Sequence, residues 1–148
     1  MKRAFVIVLI FTLTLSAAAQ LPPEITKAFP KAKSIKKEAK WTVVSDAKNK
    51  VVGYAVYSKP ASNGITGYAG ETPLMIALNS KQRIKQVVLL ENKETPSFLQ
   101  MVVDAGLLNS WDGMKPQTAI AHKVDAVSGA TYSSISIIKS LRAALKKL

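Results

Sequence analysis

LMIALNSKQRIKQVVLL, residues 74–90, holds two apolar runs, Leu74 to Leu78 and Ile84 to Leu90, on either side of Asn79-Ser80-Lys81-Gln82-Arg83. Each run has the length and composition of a buried strand. Five polar residues can turn a chain back on itself but cannot hold a crossover helix, so the two strands must run antiparallel. The same pattern recurs upstream. Trp41 to Val44 and Val51 to Tyr57 are rich in β-branched and aromatic residues, and the polar stretch Ser45 to Lys50 separates them. Two hairpins in succession predict a mainly antiparallel sheet.

Helical signals flank that sheet. Thr95-Pro96-Ser97 places threonine at a cap position and proline at the first helical position; Phe98, Met101, Val102 and Ala105 then share one face before Gly106 ends the element. Tyr132 to Leu148 is the clearest helix, because Ile135, Ile138, Leu141, Leu145 and Leu148 recur at intervals of three and four while Lys139, Arg142 and Lys146 take other faces. Glu24 to Phe29 reads as a short helix stopped by Pro30. Leu107 to Gly113 reads as irregular or briefly helical, and Thr118 to Val124 as one further strand. The fold class is therefore α+β: a mainly antiparallel sheet with packed helices, including a C-terminal amphipathic helix.

The chain has 148 residues and no cysteine. Disulfides, thiolate metal sites, iron–sulfur clusters and thioether-linked haem are excluded. His122 is the single histidine, so a multi-histidine metal centre is excluded as well, and no catalytic or metal-ligating set is expected. Lys and Arg number 21 against nine acidic residues, a net charge of +12. That surplus suits anionic partners: phosphate, an anionic membrane surface or an acidic protein.

The first residues read as a leader rather than as part of the domain. Met1-Lys2-Arg3 is positive, Ala4 to Leu15 is apolar apart from two threonines, and Ser16-Ala17-Ala18-Ala19 supplies small residues. Residues 1–19 are expected to be a signal peptide cut after Ala19; a retained single anchor is the competing reading, although the apolar run is shorter than the roughly 20 residues that span a bilayer. Export disfavours nucleic acid as a partner and points to the periplasm or the outer face of the cytoplasmic membrane. Residues 20–52 then form an N-terminal basic segment with a first strand, and residues 53–148 the main domain.

Asp125-Ala126-Val127-Ser128-Gly129-Ala130-Thr131 lies directly in front of the C-terminal helix. Helix N-termini carry unpaired amides and the positive end of the dipole, so a phosphate is stabilised there by backbone alone. Glycine at 129 and alanine at 130 let the turn approach an anion, and Thr131 would present a hydroxyl to it. The plainer reading is that Ser128, Thr131 or Ser133 merely caps the helix. A phosphate loop of the nucleoside triphosphate kind is disfavoured, since its glycine spacing and its lysine are missing.

These seven residues resemble the flavinylation motif of the FMN-binding domain family, which includes flavin-carrying subunits of sodium-pumping NADH:quinone oxidoreductases and Rnf complexes. Gly67-Tyr68-Ala69-Gly70, the central hairpin and Glu94-Thr95-Pro96 extend the resemblance over about residues 53–145. In the family, glycine often follows that proline; here Ser97-Phe98 stands instead. The resemblance implies FMN linked through its phosphate to Thr131, attached by a flavin transferase that uses FAD and magnesium. It makes Ser128, Gly129, Ala130 and Asp125 motif residues. Tyr68 and Tyr132 become candidate neighbours of the ring, together with Phe98 and Trp111, while Glu94 and Thr95 could bond its polar edge or cap the helix. The implied function is an exported electron-transfer flavoprotein fed by a membrane-bound donor, more a carrier than a stand-alone enzyme. A non-redox binding module of the same fold and a small flavin-dependent reductase are the alternatives.

Overall fold

Five antiparallel strands follow one another across a single sheet, β1 (Ser34–Lys37), β2 (Thr42–Ser45), β3 (Val51–Tyr57), β4 (Leu74–Asn79) and β5 (Ile84–Leu89), each paired with its neighbours in sequence. They belong to a computed structural model that describes residues 20–148; the leader expected over residues 1–19 lies outside the described residues. Around the sheet lie α1 (Pro23–Ala28), α2 (Pro96–Asp104), a single 3-10 turn (Leu107–Asn109), α3 (Pro116–Ala121) and α4 (Thr131–Leu145). The α+β architecture is as expected, and so is the decisive hairpin, in which Leu74 pairs with Leu89 and Ile76 with Val87.

The sheet is covered on both faces, which explains why residues 74–78 are continuously apolar instead of alternating. Leu74, Ile76 and Leu78 point into a core with Val56, Ile84, Val102, Trp111, Ile137 and Leu141. Met75 and Ala77 point the other way, into a second core with Ala55, Val88 and the α1 residues Ile25 and Ala28, joined by Phe29. All five residues from Leu74 to Leu78 are fully buried. Burying a side chain of leucine or isoleucine size contributes about 1.5–3 kcal/mol, so β4 is the element on which both layers depend.

Two segments differ from expectation. Thr118 to Val124 is not a strand: α3 occupies Pro116–Ala121, and the chain is extended from His122 onward. Pro116 at the first helical position presets the helical φ, and Ala119 is small enough to bury against the main core. The basic N-terminal segment holds an additional strand, β1, whose four residues are all exposed. It pairs with β2 through Ser34–Ser45 to Lys37–Thr42. The division drawn at 52/53 falls within β3, and the sheet is continuous across it.

Gly53 of β3 lies against Phe29, the residue that follows α1. A methyl group there would press into the Leu78 carbonyl oxygen and the Phe29 ring. Because one obstacle is backbone, it cannot rotate aside. Gly53→Ala is expected to lower stability by about 1–3 kcal/mol, read as a fall in the urea midpoint with an unchanged slope; an unchanged midpoint would show that the sheet yields at this point.

Candidate functional site

The turn before α4 is held by an unexpected side chain. Ser134 Oγ accepts a hydrogen bond from the Val127 amide at 3.0 Å and donates to the Ala130 carbonyl at 2.8 Å. Ala130 occupies the N-cap position and has no side-chain cap. Ser128, Thr131 and Ser133 therefore do not cap the helix, and the Thr131 side chain is left exposed and without a hydrogen bond among the described residues. Gly129 has φ +84°, the left-handed region that favours glycine, and any side chain there would also collide with the Met101 methyl.

Facing this turn is the loop that carries Tyr68. Its position is set from below by Glu94, which is buried to 4% exposure. The Glu94 carboxylate accepts from the Tyr68 amide at 2.7 Å, the Ala69 amide at 2.9 Å and its own neighbour, the Thr95 amide, at 2.8 Å. Gly67 is needed beside it, since a Cβ would overlap Glu94 Oε2. A tight bond from the Gly67 amide to the Gly70 carbonyl, 2.7 Å, closes the tip. Farther along, Glu71 binds the Lys59 ammonium and accepts from the Gly64 amide at 2.7 Å. The Lys59 bond, and then the Gly64 amide, hold the Glu71 carboxyl below its ordinary range.

Between loop and turn opens a cleft of about 220 Å³, lined by Tyr68 and Phe98 on one side and by Gly129 to Ser133 on the other. Tyr68 and Phe98 meet edge to face, their centroids 5.0 Å apart. Tyr68 is 65% and Tyr132 67% exposed, so both rings stand largely in solvent at the rim. Exposed aromatics beside a concavity mark a contact surface.

Of the residues singled out in the sequence, Thr131, Gly129, Ala130, Tyr132, Tyr68 and Phe98 come together in this cleft. Glu94 and Thr95 lie beside it, with the Glu94 oxygens occupied by loop amides. Thr95 starts α2 through its carbonyl, which accepts from Phe98 and Leu99, and brings no side-chain cap. Asp125 and Ser128 are exposed and line a separate cavity of about 520 Å³ with His122 and Lys123. Trp111 is wholly buried in the main core and is not at the cleft, which corrects its candidacy. It belongs to the same buried cluster as Leu74, Ile76 and Leu78 of β4, Ile84 and Val87 of β5, and Ile137 and Leu141 of α4.

One participant is not apparent in the sequence. Ser133 forms part of the cleft wall, yet it is fully buried and its hydroxyl has no partner. Its spacing gave it only the look of a cap. Buried hydroxyls are ordinarily paired. An unpartnered hydroxyl, a free threonine hydroxyl, uncapped helix amides and an aromatic wall suit a planar ring carrying a phosphate. The volume is below the roughly 300–1,000 Å³ of sites that engulf a small ligand, so such a group would be gripped on one side and open on the other.

An α+β domain with an uncapped helix start beside an aromatic cleft is the class that fold and site define. The family model described as FMN-binding domain matches residues 67–146, more than half of the chain. The chain belongs to the FMN-binding domain family, and FMN is the cofactor of that family. Among solved structures, the crystal structure of Shewanella oneidensis NqrC is similar at 22% identity with a TM-score of 0.47, covering 76% of this chain and 63% of that one. The chain thus spans less than two thirds of that protein's length. No curated protein matches it.

If Glu94 fixes the loop, Glu94→Ala is expected to speed hydrogen exchange at the Tyr68 and Ala69 amides selectively and to cost about 1–3 kcal/mol of stability. Exchange at those two amides equal to that of the unsubstituted protein would remove Glu94 from this role.

Proposed function

We propose that this protein is an exported electron carrier with one FMN joined by a phosphoester to Thr131. Family membership supports the cofactor. The observation that carries the linkage is the Thr131 hydroxyl, exposed and unbonded at the first position of α4, in the wall of a cleft that combines aromatic rings with a helix N-terminus. A hydroxyl consumed in capping could not serve as an attachment point; Ser134 does that work and leaves Thr131 available.

Attachment requires a transferase using FAD and magnesium. The Thr131 oxygen forms a bond to the FMN phosphorus of FAD, the pyrophosphate bond breaks, AMP leaves and the hydroxyl proton is lost. Asp125 and Ser128, exposed one turn earlier, are the residues such an enzyme reaches first. When bound, FMN supplies reversible one- or two-electron chemistry. The chain's part is to hold and orient. Amides of the first turn of α4 would hold the phosphate, Tyr68, Phe98 and Tyr132 would offer flat apolar surface, and Ser133 would offer a hydroxyl. With no histidine or cysteine at the cleft to deliver a proton to a substrate, the site supports electron exchange better than reductase chemistry. A carrier outside the cytoplasm has no free flavin pool to draw on, which is the physical reason for a permanent bond. The donor in this reading is membrane-bound, and the leader over residues 1–19 sends the chain to the periplasm or to the outer face of the cytoplasmic membrane.

Co-expression with a flavin transferase is expected to raise the intact mass by one FMN less one water, and Thr131→Ala to abolish that gain; flavin surviving denaturation in the Thr131→Ala protein would sink the assignment. Ser128→Ala is expected to retain part of the attachment, since Ser128 makes no bond that holds the turn. Complete loss of the adduct would give Ser128 a direct role in transfer.

A further inference from the structure

At the opposite end of α4 from the flavin cleft lies a groove of about 300 Å³ that the flavin reading does not use. Lys40, Lys81 and Lys115 line it, with Trp41 and the side chains of Gln82 and Gln117 between them. The three lysines come from three separate parts of the fold: the β1–β2 turn, the β4–β5 turn, and the residue before α3. None forms a salt bridge or donates a side-chain hydrogen bond among the described residues, whereas Lys36 and Lys59 both have carboxylate partners. Glu38, close in the chain, accepts from the Trp41 indole at 3.3 Å and meets Lys36.

Positive charges that line one groove repel one another, and an anion between them removes the cost. The indole is held firmly for a surface residue. It stacks on Tyr54 with centroids 4.2 Å apart, and the Lys40 ammonium lies 4.3 Å from its ring centre. A rigid amphipathic ring in a groove also lined by three lysines and two glutamines suits a phosphodiester headgroup attached to an apolar body.

The rim of the groove discriminates between a small anion and a surface. Lys40 and Trp41 continue directly into β1, an edge strand exposed along its whole length that carries Lys36 and Lys37, with Lys33 just before it. A free anion would need the groove alone. A planar anionic surface would meet groove and strand together, because Lys40 and Trp41 of the groove follow β1 within a few residues. α4 is 15 residues long, about 22 Å, and separates the groove from the cleft at Thr131.

We propose that the Lys40–Lys81–Lys115 groove docks this protein onto an anionic phospholipid membrane, with Trp41 at the interface. The inference stands apart from flavin attachment, since none of its residues touches the cleft.

The test is co-flotation of the full chain with phosphatidylglycerol-containing vesicles and with phosphatidylcholine vesicles, at low and at high salt, comparing the unsubstituted protein with a Lys40→Ala, Lys81→Ala, Lys115→Ala variant. A control variant, Lys27→Ala, Lys48→Ala, Lys139→Ala, removes the same charge elsewhere. Binding that depends on the anionic lipid and on low salt is expected, weakened roughly a hundredfold in the groove variant and far less in the control. A blue shift of tryptophan emission on binding is expected from Trp41, because Trp111 is already buried. Equal loss in both triple variants would reduce the effect to net charge and overturn the groove. Binding to inorganic phosphate in place of vesicles would overturn a membrane site in favour of a free anion. Retention on immobilised polyglutamate, lost in the groove variant, with no vesicle binding, would assign the groove to an acidic protein. Flavin mass gain measured on the same samples reports separately on the cleft.

Discussion

A single buried carboxylate joins the parts of the site. Glu94 sits under the loop of residues 67–70 with three backbone amides directed at its two oxygens. No cation neutralises it among the described residues. A charge in that position is tolerable only because the amides replace the water it gives up. The consequence is mutual dependence. The loop has its conformation because Glu94 is there, and Glu94 can be there because Gly67 offers no side chain to displace it. Since Glu94 also bonds the first amide of the segment leading into α2, the Tyr68 loop and the helix bearing Phe98 are referred to the same atoms. The aromatic wall of the cleft is thus built from two distant stretches with little freedom between them.

The opposite wall follows another logic. α4 carries serines at 133, 134, 136 and 140, all buried. On an amphipathic helix those positions would ordinarily hold larger apolar groups. Small polar side chains let the helix start close against the loop and the sheet. Ser136 reaches Thr72 at 2.8 Å and bonds back to the Ser133 carbonyl at 2.9 Å, while Ser134 fastens the preceding turn. Ser133 and Ser140 are left without partners, and of the two Ser133 is the one on the cleft.

Much of this was legible in the sequence, for identifiable reasons. Five polar residues between two apolar runs leave the chain little choice but a hairpin, and period-3.6 spacing with lysines off the apolar stripe specifies α4. The Gly-Ala-Thr element and the glycines around Tyr68 marked most of the cleft. Other features were hidden. β1 has lysine where strands usually carry β-branched residues, so it forms by pairing with β2 rather than by propensity. Residues 118–124 have strand-like composition, but Pro116 starts a helix before that preference can act. The clamping role of Glu94 and the core position of Trp111 depend on partners 25 or more residues away, which no local pattern reports. Among many serines, nothing in the spacing tells which one will cap, and Ser134 does so by reaching back across the turn.

The exposed strand at the sheet margin has a further meaning for the chain's behaviour at high concentration. An open row of amides and carbonyls is a template on which a second copy can add, and repeated addition leads to fibrils. β1 is only four residues long and carries Lys36 and Lys37. A neighbour adding in register would bring like ammonium groups into contact along the seam. That strand therefore keeps the sheet finite, and the protein can be crowded at its destination without polymerising through its own backbone.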